Sequence, residues 1–315
     1  MRRPLSTSGS PVPRVTHISG AHGFLLRIPL FLIFLIIYLL TLSGNTLILL
    51  AVVTENQLHK PMYWFLCHLS FMDMTVSSIV VPKVIAGFVE GGQSISFWGC
   101  VSQLFFFHFL GCAECLLYTM MAFDRFLAIC RPLRYGTIMN HKVCLGLSLG
   151  SWIGGCLNSL MQTSLTFHLP YGQGNKVDYI FCDIPAMLRL ACADTSFNEK
   201  VTMLDVGVAA SLSFLLILTS YICIVSAILR IRSAEGRFRA FSTCAAHLTV
   251  VVIYYIPVVF NYVRSGSQDM IDRVVAVFYT TMTPFLNPII YTLRNKEMKA
   301  ALARLGNPRR GGGGE

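Results

Sequence analysis

Two opposite charges, Asp124 and Arg125, stand side by side near the end of the third of seven long apolar runs in this 315-residue chain. Charged side chains are rare at membrane depth, where each needs a partner or a position at the membrane–water interface. An Asp–Arg pair in that position can hold two helices together and release them when another group competes for the arginine. This chemistry indicates a switch, which is more typical of a signalling receptor than of a pore.

Further polar residues lie inside the apolar runs, where lipid offers them no partner. They are Asn45, Asp73, Glu114, Asn287 and Tyr291. A lone polar residue can bond to a neighbouring helix, but two carboxylates in one bundle must be protonated, share a cation or lie in a hydrated cavity. We expect a shared hydrated pocket around Asp73 and Glu114.

Several runs carry a mainly apolar face with a few polar groups, at the i, i+3, i+4 spacing of a helix. Such a wall is typical of a small-molecule pocket, although an ordinary bundle interior has the same pattern. Asp205 is its least expected member, since it could accept a hydrogen bond from a ligand or pair with His168 or Lys200 of the neighbouring loop. The predicted lining is Leu104, His108, Gly111, Cys112, Cys115, Asp205, Ala209, Tyr255, Val258, Val259, Tyr262 and Thr280.

The composition indicates that lipid is the solvent of the elements that position these residues. The chain is 54% hydrophobic and only 13% charged, whereas soluble domains are about 25% charged. Each apolar run is long enough to cross about 30 Å of hydrocarbon and must be helical, because lipid leaves backbone amides without partners. The sequence therefore predicts an all-α membrane protein, a seven-transmembrane helix bundle with helices at residues 28–53, 62–88, 100–123, 143–165, 201–231, 240–263 and 271–293.

Basic residues indicate the orientation of the bundle, since cytoplasmic loops are enriched in Lys and Arg. The larger share of them fits an extracellular amino terminus and a cytoplasmic carboxyl terminus. The net charge of +10 is then a signal of membrane topology and gives no reason to expect a nucleic-acid partner. The predicted domains are an extracellular disordered tail (1–27), the transmembrane bundle (28–293), a short amphipathic membrane-surface helix (294–305) and a flexible cytoplasmic tail (306–315).

Prolines and glycines mark special points on three of the runs. Pro257 and Pro288 interrupt the sixth and seventh runs, and each frees the carbonyl of the residue four positions earlier. The resulting kinks are hinges or packing accommodations. Gly146, Gly150 and Gly154 have the spacing of a close helix contact, which we interpret as packing within the bundle.

Of the eleven cysteines, Cys100, Cys182 and Cys192 fall on the predicted outer side, where disulfides persist. A bridge between Cys100 and Cys182 would pin the long loop after the fourth run over the mouth of the bundle. Three is an odd number, so one thiol is left over. Cys112 and Cys115 have the spacing of a redox motif, but they lie mid-helix without a nearby strand and are interpreted as packing residues.

Two common motifs of catalysis are missing from the sequence, which contains no His-Glu-x-x-His and no phosphate-binding glycine loop. We therefore expect no enzymatic activity. A cation channel or transporter that uses Asp73 and Glu114 is the alternative to a receptor.

A series of short motifs, taken in chain order, resembles the rhodopsin-like G-protein-coupled receptors and specifically the olfactory (odorant) receptors of the tetrapod class II type. The match runs from about residue 24 to residue 301. One such block would be a weak signal, whereas all of them in order form a specific pattern. The motifs are Gly44-Asn45, Pro61-Met62-Tyr63, Leu69-Ser70-Phe71-Met72-Asp73, residues 121–135, Phe181-Cys182-Asp183, Ser220-Tyr221, residues 239–244 with His247, and residues 284–291.

The resemblance implies a plasma-membrane receptor that binds a small, volatile, mainly apolar odorant in the outer half of the bundle. Asp124 and Arg125 would form the switch for a heterotrimeric G protein of the stimulatory, olfactory type, which raises cyclic AMP. Tyr221 and Tyr291 would rearrange around Arg125 on activation, and Tyr255 would pass ligand motion to the sixth helix. Glu114 is characteristic of such receptors.

The resemblance also implies a cation pocket, a sodium site lined by Asp73, Glu114 and Asn287, and no other cofactor. Three departures stand out. Phenylalanines replace two tyrosines on either side of the Asp–Arg pair, and Gly172 replaces a cysteine, which leaves Cys192 without its expected partner. No Asn-x-Ser/Thr sequon occurs in the chain, although the family normally glycosylates its amino-terminal tail. A pseudo-receptor that does not signal is therefore a further alternative.

Overall fold

Helices make up nearly all of the described chain. The computed structural model describes residues 14–15, 21–90, 93–172, 181–263 and 270–306, so most of the two predicted tails lies outside it. In chain order the elements are β1 (Arg14–Val15), α1 (Ala21–Thr54), a 3-10 turn (Asn56–Leu58), α2 (Pro61–Glu90), β2 (Gln93–Ser94), α3 (Phe97–Cys130), α4 (Pro132–Ile138), α5 (His141–Phe167), α6 (Ile184–Leu188), α7 (Ser196–Leu229), α8 (Ala234–Val263), α9 (Met270–Arg294) and α10 (Lys296–Gly306). The two short strands pair antiparallel.

The seven predicted runs correspond to α1, α2, α3, α5, α7, α8 and α9. Within the described residues, six of these helices are long and apolar enough to cross a membrane, whereas α8 is apolar over the shorter stretch His247–Phe260. The first turns of α8 carry charges such as Glu235. Large apolar side chains cover the outside of the bundle, for example Ile36 at 55% and Leu216 at 50% exposure. Such a belt suits contact with lipid chains.

Polar side chains set where two of the long helices begin. The Ser96 hydroxyl accepts a hydrogen bond of 3.0 Å from the backbone N–H of Gly99 at the start of α3. The Asn140 side-chain oxygen accepts one of 3.1 Å from the N–H of Val143 at the start of α5. Each satisfies a donor that the first helical turn leaves without an intrahelical partner.

Helix α3 lies at the centre of the bundle and packs against α2, α5, α7 and α8. Its contact with α5 depends on a glycine, since a Cβ at Gly155 would lie 2.6 Å from the carbonyl oxygen of Phe109. A Cβ at Gly154 would touch the same helix at 3.2 Å, whereas Gly146 and Gly150 have nothing within 4 Å. Close packing therefore uses only one end of the predicted glycine stripe.

Helices α1 and α9 are joined at the point where Pro288 interrupts α9. This proline frees the carbonyl of Pro284, and Asn45 on α1 donates a hydrogen bond of 3.1 Å to that oxygen. Asn45 also donates to its own helix, to the carbonyl of Thr41 at 3.0 Å. The ring of Pro288 lies close to α1, because a Cβ at Gly44 would be 3.1 Å from it.

Helix α10 packs on the bundle with part of its apolar face. Its apolar face turns towards α1 and α9, and Met298 on that face is completely buried by protein. Ion pairs tie its polar side to the connection between α1 and α2, with Lys60 2.6 Å from Glu297 and Arg304 2.8 Å from Glu55. This part of the apolar face therefore contributes to the fold, and a position on the membrane surface stays a prediction.

Candidate ligand cavity and switch region

We call the end of the bundle that holds Cys100 and Cys182 the disulfide end, and the end that holds Arg125 the arginine end. A cavity of about 120 Å³ lies in the half nearer the disulfide end. Helices α3, α7, α8 and α9 form most of its wall, which is mainly apolar. Its lining is Val76, Phe107, His108, Gly111, Cys112, Glu114, Cys115, Leu116, Asn158, Asp205, Val206, Ala209, Ala210, Ser213, Tyr254, Tyr255, Val258, Tyr279, Thr280, Thr283 and Pro284.

Most of the predicted lining residues surround this cavity, and three of them are not among the residues that line it. Leu104 is completely buried in the core, and Val259 is 44% exposed on the outside of α8. The side chain of Tyr262 lies outside the described part of the chain. The structure brings His108, Gly111, Cys112, Cys115, Asp205, Ala209, Tyr255, Val258 and Thr280 together around one space.

The sequence interpretation missed α5 as part of the wall. Asn158 lines the cavity and stands one helical turn before Gln162, which is 2% exposed. Two amides at i and i+4 in an apolar run lie on one helical face, so this spacing could have indicated that α5 contributes to the site. Tyr254 was also missed, although it directly precedes Tyr255.

Asp205 is held by amide side chains of α5 rather than by His168 or Lys200. Asn158 Nδ2 donates to both carboxylate oxygens at 2.9 Å, and Gln162 Nε2 donates to Oδ2 at 2.7 Å. No lysine or arginine occurs among the described lining residues. The carboxylate is therefore fixed in the wall by neutral donors.

The loop between α5 and α7 is anchored to α3 beside the cavity. Cys100 and Cys182 form the expected disulfide, with Cα atoms 5.4 Å apart, and Gln103 Oε1 accepts a hydrogen bond of 2.9 Å from the N–H of Cys182. His108 Nε2, at the cavity wall, lies 3.0 Å from Asp183 Oδ1. This part of the loop is buried and packs beside the cavity wall at His108.

The same loop brings Cys192 to the residue that departs from the family pattern. The N–H of Cys192 donates a hydrogen bond of 2.8 Å to the carbonyl of Pro170, and Tyr171 pairs with Ala191 in an antiparallel bridge. A Cβ at Gly172 would lie 2.7 Å from Cys192 Sγ. The backbone is therefore arranged as if for a second disulfide, although Cys192 is a free, exposed thiol.

A buried polar cluster lies below the cavity, towards the arginine end. Asn287 Nδ2 donates to the two oxygens of Asp73 at 3.1 and 2.9 Å and lies 3.2 Å from the Tyr118 hydroxyl. Glu114 lines the cavity, and its Oε1 is buried without a hydrogen-bond partner among the described residues. Among the described residues, no group of three or more His, Cys, Asp or Glu side chains is arranged to hold a metal ion.

At the arginine end, Arg125 is paired with its own neighbour. Arg125 Nη2 donates a hydrogen bond of 3.0 Å to Asp124 Oδ2, and Asp124 is completely buried. The Tyr135 hydroxyl on α4 donates to Asp124 Oδ1 at 2.7 Å. Burial and the nearby charge of Asp124 raise the pKa of Tyr135, so this phenol stays protonated and ties α4 to the pair.

The hydroxyl groups of Tyr221 and Tyr291 are not hydrogen-bonded to Arg125 in the described structure. The Tyr221 hydroxyl lies 2.6 Å from His247 Nδ1, and the two rings are stacked with centroids 5.8 Å apart. The Tyr291 hydroxyl is buried without a hydrogen-bond partner in the described structure. This arrangement links α7 to α8 near the arginine end, and neither hydroxyl is hydrogen-bonded to the Asp–Arg pair in the described structure.

Comparison with known proteins identifies the family. A family model described as Olfactory receptor matches residues 34–307. The chain belongs to the olfactory receptor family. It is 66% identical to Olfactory receptor 10G6 of Homo sapiens over 88% of this chain and 84% of the relative. It is 56% identical to Olfactory receptor 10G2 of Homo sapiens over 89% of this chain and 91% of the relative. It is 52% identical to Olfactory receptor 10D1B of Mus musculus over 87% of this chain and 88% of the relative.

Membership places the described features in context. Olfactory receptors are signalling receptors rather than enzymes, which agrees with the missing catalytic motifs. This receptor is a multi-pass protein of the plasma membrane, so the exposed apolar belt faces lipid. It responds to odorants and couples to G proteins, as is general for the family.

Proposed function

We propose that this olfactory receptor is activated by a small, volatile, mainly apolar odorant that binds in the cavity between α3, α7, α8 and α9. The volume of about 120 Å³ supports this, because apolar cavities of about 150 Å³ bind benzene. Aromatic rings with a few polar groups, as in this wall, are typical of ligand sites. The observation that carries the proposal is the position of two tyrosines in the wall.

Tyr254 and Tyr255 connect α8 to α3 across the cavity. The Tyr254 hydroxyl donates a hydrogen bond of 2.7 Å to the carbonyl of Gly111, and the Tyr255 hydroxyl lies 2.9 Å from Cys115 Sγ. An odorant in the cavity contacts both phenols and competes with these bonds. The receptor then has two states, one with the bonds from α8 to α3 intact and one with these bonds broken. A ligand that binds the second state more tightly shifts the population towards that state.

Motion of α8 reaches the arginine end along the helix. His247, which is bonded to Tyr221, lies about two helical turns from Tyr255, since a turn contains about 3.6 residues. Pro257 lies next to the tyrosines and removes a backbone hydrogen bond there. A shift of α8 at the cavity therefore changes the contact between Tyr221 and His247.

We further propose that the disulfide end is extracellular and that the arginine end binds a G protein of the stimulatory, olfactory type and raises cyclic AMP. The disulfide supports this orientation, because disulfides persist outside the cell. Arg125 can leave Asp124 without isolating the carboxylate, because Tyr135 still donates to it. Leu133 is 98% exposed and offers the partner an apolar contact.

We also propose a sodium ion between Asp73 and Glu114. Its support is the unpaired Oε1 of Glu114 and two buried carboxylates with no lysine or arginine hydrogen-bonded to them in the described chain. A bound cation offsets such charges. Sodium chloride should therefore raise the melting temperature of the purified receptor more than choline chloride does, and Asp73→Asn should abolish that difference. An equal effect of both salts would argue against the site.

The test of the function uses cells that display the epitope-tagged receptor, with its surface amount measured by antibody. A panel of odorants should raise cyclic AMP in a dose-dependent way, and Arg125→Ala should abolish the rise at equal surface amount. Lys142→Ala removes an exposed cation near the same end and serves as the matched control.

A membrane current without a rise in cyclic AMP would indicate a channel. If the receptor is confirmed at the surface and gives no current and no rise in cyclic AMP, it is a pseudo-receptor. Full signalling by Arg125→Ala would remove Arg125 from the switch.

A further inference from the structure

We propose that Asp205 makes the receptor selective for ligands that carry a hydroxyl group. This inference rests on the proposed function, because it concerns the ligand of the same cavity. Asp205 lines the space directly, and it is the carboxylate that α7 contributes to the wall.

The acceptor capacity of Asp205 is only partly used. A carboxylate has about four lone-pair sites, and the N–H groups of two side chains reach this one. Asn158 Nδ2 lies 2.9 Å from both oxygens, which share its N–H, and Gln162 Nε2 donates to Oδ2 at 2.7 Å. Oδ1 therefore has one hydrogen bond fewer than Oδ2 and keeps an acceptor site.

The position of the carboxylate is fixed from behind the wall. Gln162 is 2% exposed, and its Oε1 accepts a hydrogen bond of 3.1 Å from the Thr202 hydroxyl. Asp205, Asn158, Gln162 and Thr202 thus form a connected set between α5 and α7. A fixed acceptor discriminates between ligands more strongly than a mobile one, because it cannot turn away when a ligand offers no donor.

Two hydroxyl groups in the wall have their own acceptors, whereas Thr283 Oγ1 has no hydrogen-bond partner among the described residues. The Tyr254 hydroxyl donates to the carbonyl of Gly111 at 2.7 Å, and the Thr280 hydroxyl donates to the carbonyl of Ala276 at 2.8 Å. These protons are used within the protein. Asp205 differs from these groups, because an ionised carboxylate accepts hydrogen bonds and donates none.

A hydroxyl fits this remaining site better than an ammonium group does. One O–H proton meets one free acceptor site, whereas an ammonium group brings three donors into the cavity. The N–H groups of Asn158 and Gln162 already stabilise the charge of the carboxylate. With a volume of about 120 Å³, the cavity takes a molecule of about one six-membered ring.

The experiment compares matched ligands in the cyclic-AMP assay: benzyl alcohol with benzyl methyl ether, cyclohexanol with methoxycyclohexane, and benzylamine. A hydrogen bond to a charged group contributes about 1.5–3 kcal/mol, so each alcohol should be about 10- to 100-fold more potent than its ether. Asp205→Asn should reduce this ratio by about tenfold. Because both ligands are measured on the same cells, the ratio does not depend on the amount of receptor.

Thr219→Val is the matched control, since the exposed Thr219 lies on the same helix but outside the cavity wall and its hydroxyl donates to the carbonyl of Leu215, so it should leave the ratio within about twofold. If Asp205→Asn does not reach the surface, Asp205→Ser gives the same comparison. Ethers as potent as alcohols, an unchanged ratio in the Asp205 variants, or benzylamine as the most potent probe would each overturn the proposal. Silence towards all five probes together with a response to other odorants would overturn it and leave the proposed function intact, whereas silence towards every odorant would remove both.

Discussion

Replacement of Gly172 by cysteine tests whether the loop over the cavity keeps the geometry of a second disulfide. A Cβ at this position would lie 2.7 Å from Cys192 Sγ. In a disulfide with a bond of about 2.05 Å, a Cβ lies about 3 Å from the opposite sulfur. The change from contact to bond therefore needs a shift of only a few tenths of an ångström, and Cys192 is exposed and can be oxidised.

The expected gain follows from the length of the closed loop. Residues 172 and 192 are 20 positions apart, and closing a loop of that size removes chain entropy worth about 3 kcal/mol at 25 °C. This value is an upper limit, because the Cys100–Cys182 bridge already restricts the same segment. At roughly 2–4 °C per kcal/mol for a chain of 150–250 residues, the melting temperature should rise by up to about 10 °C.

The assay is thermal unfolding of the detergent-solubilised receptor, fused to a fluorescent protein and followed by size-exclusion chromatography. Gly172→Ser introduces a side chain of similar size that cannot form the bond, so it should melt at or below the temperature of the unmodified receptor. Gly172→Cys combined with Cys192→Ser should lose the gain. Equal stabilisation by serine and cysteine, or peptide mapping that finds Cys182 joined to Cys192, would refute the reasoning.

Two further changes probe the packing of the bundle and its carboxyl-terminal helix. Gly155→Ala should lower the free energy of unfolding by about 1–3 kcal/mol through overpacking. Gly150→Ala is the control, because its Cβ meets nothing within 4 Å, and it should leave the melting temperature nearly unchanged. Equal effects of the two substitutions would contradict the α3–α5 contact. Burial tends to raise the pKa of Glu297, but hydrogen bonds from Lys60 and Tyr63 outweigh it, so the pKa is lowered. Glu297→Gln should therefore reduce stability at pH 7 by less than about 1 kcal/mol, since both partners are about half exposed. The difference should shrink as the pH falls below 4.5, the ordinary value for this group, and vanish below its lowered pKa. A difference that does not shrink at all in this acid range would mean that the ion pair is not its cause.

Hydropathy was sufficient to locate the seven long helices, because lipid imposes helical structure on any long apolar run. Hydropathy was less informative about which face of a helix points into the cavity and which points to the outside of the bundle. Val258 and Val259 fit the same predicted stripe, yet Val258 lines the cavity and Val259 is 44% exposed on the outside. Periodicity gives a face only to within about one residue, and the neighbouring helices decide the rest.

The partners of buried polar groups were the hardest to predict. Asp205 was expected to find a ligand or a charged loop residue, but its donors are Asn158 and Gln162, more than forty positions earlier in the chain. The packing of Met298 on the bundle, where it is completely buried, was not predicted either. In both cases the outcome depends on tertiary neighbours that a single sequence does not specify.

The contact between Asn45 and Pro284 has a consequence for the biosynthesis of the receptor. The two residues are 239 positions apart, so the ribosome produces the asparagine long before the carbonyl that it binds. Until α9 has entered the membrane, Asn45 has only the bond to its own helix, and α1 carries a polar amide towards lipid or towards the translocation machinery. Arrival of the last helix removes this exposed amide. The hydrogen bond therefore forms only after α9 has been synthesised and packed against α1.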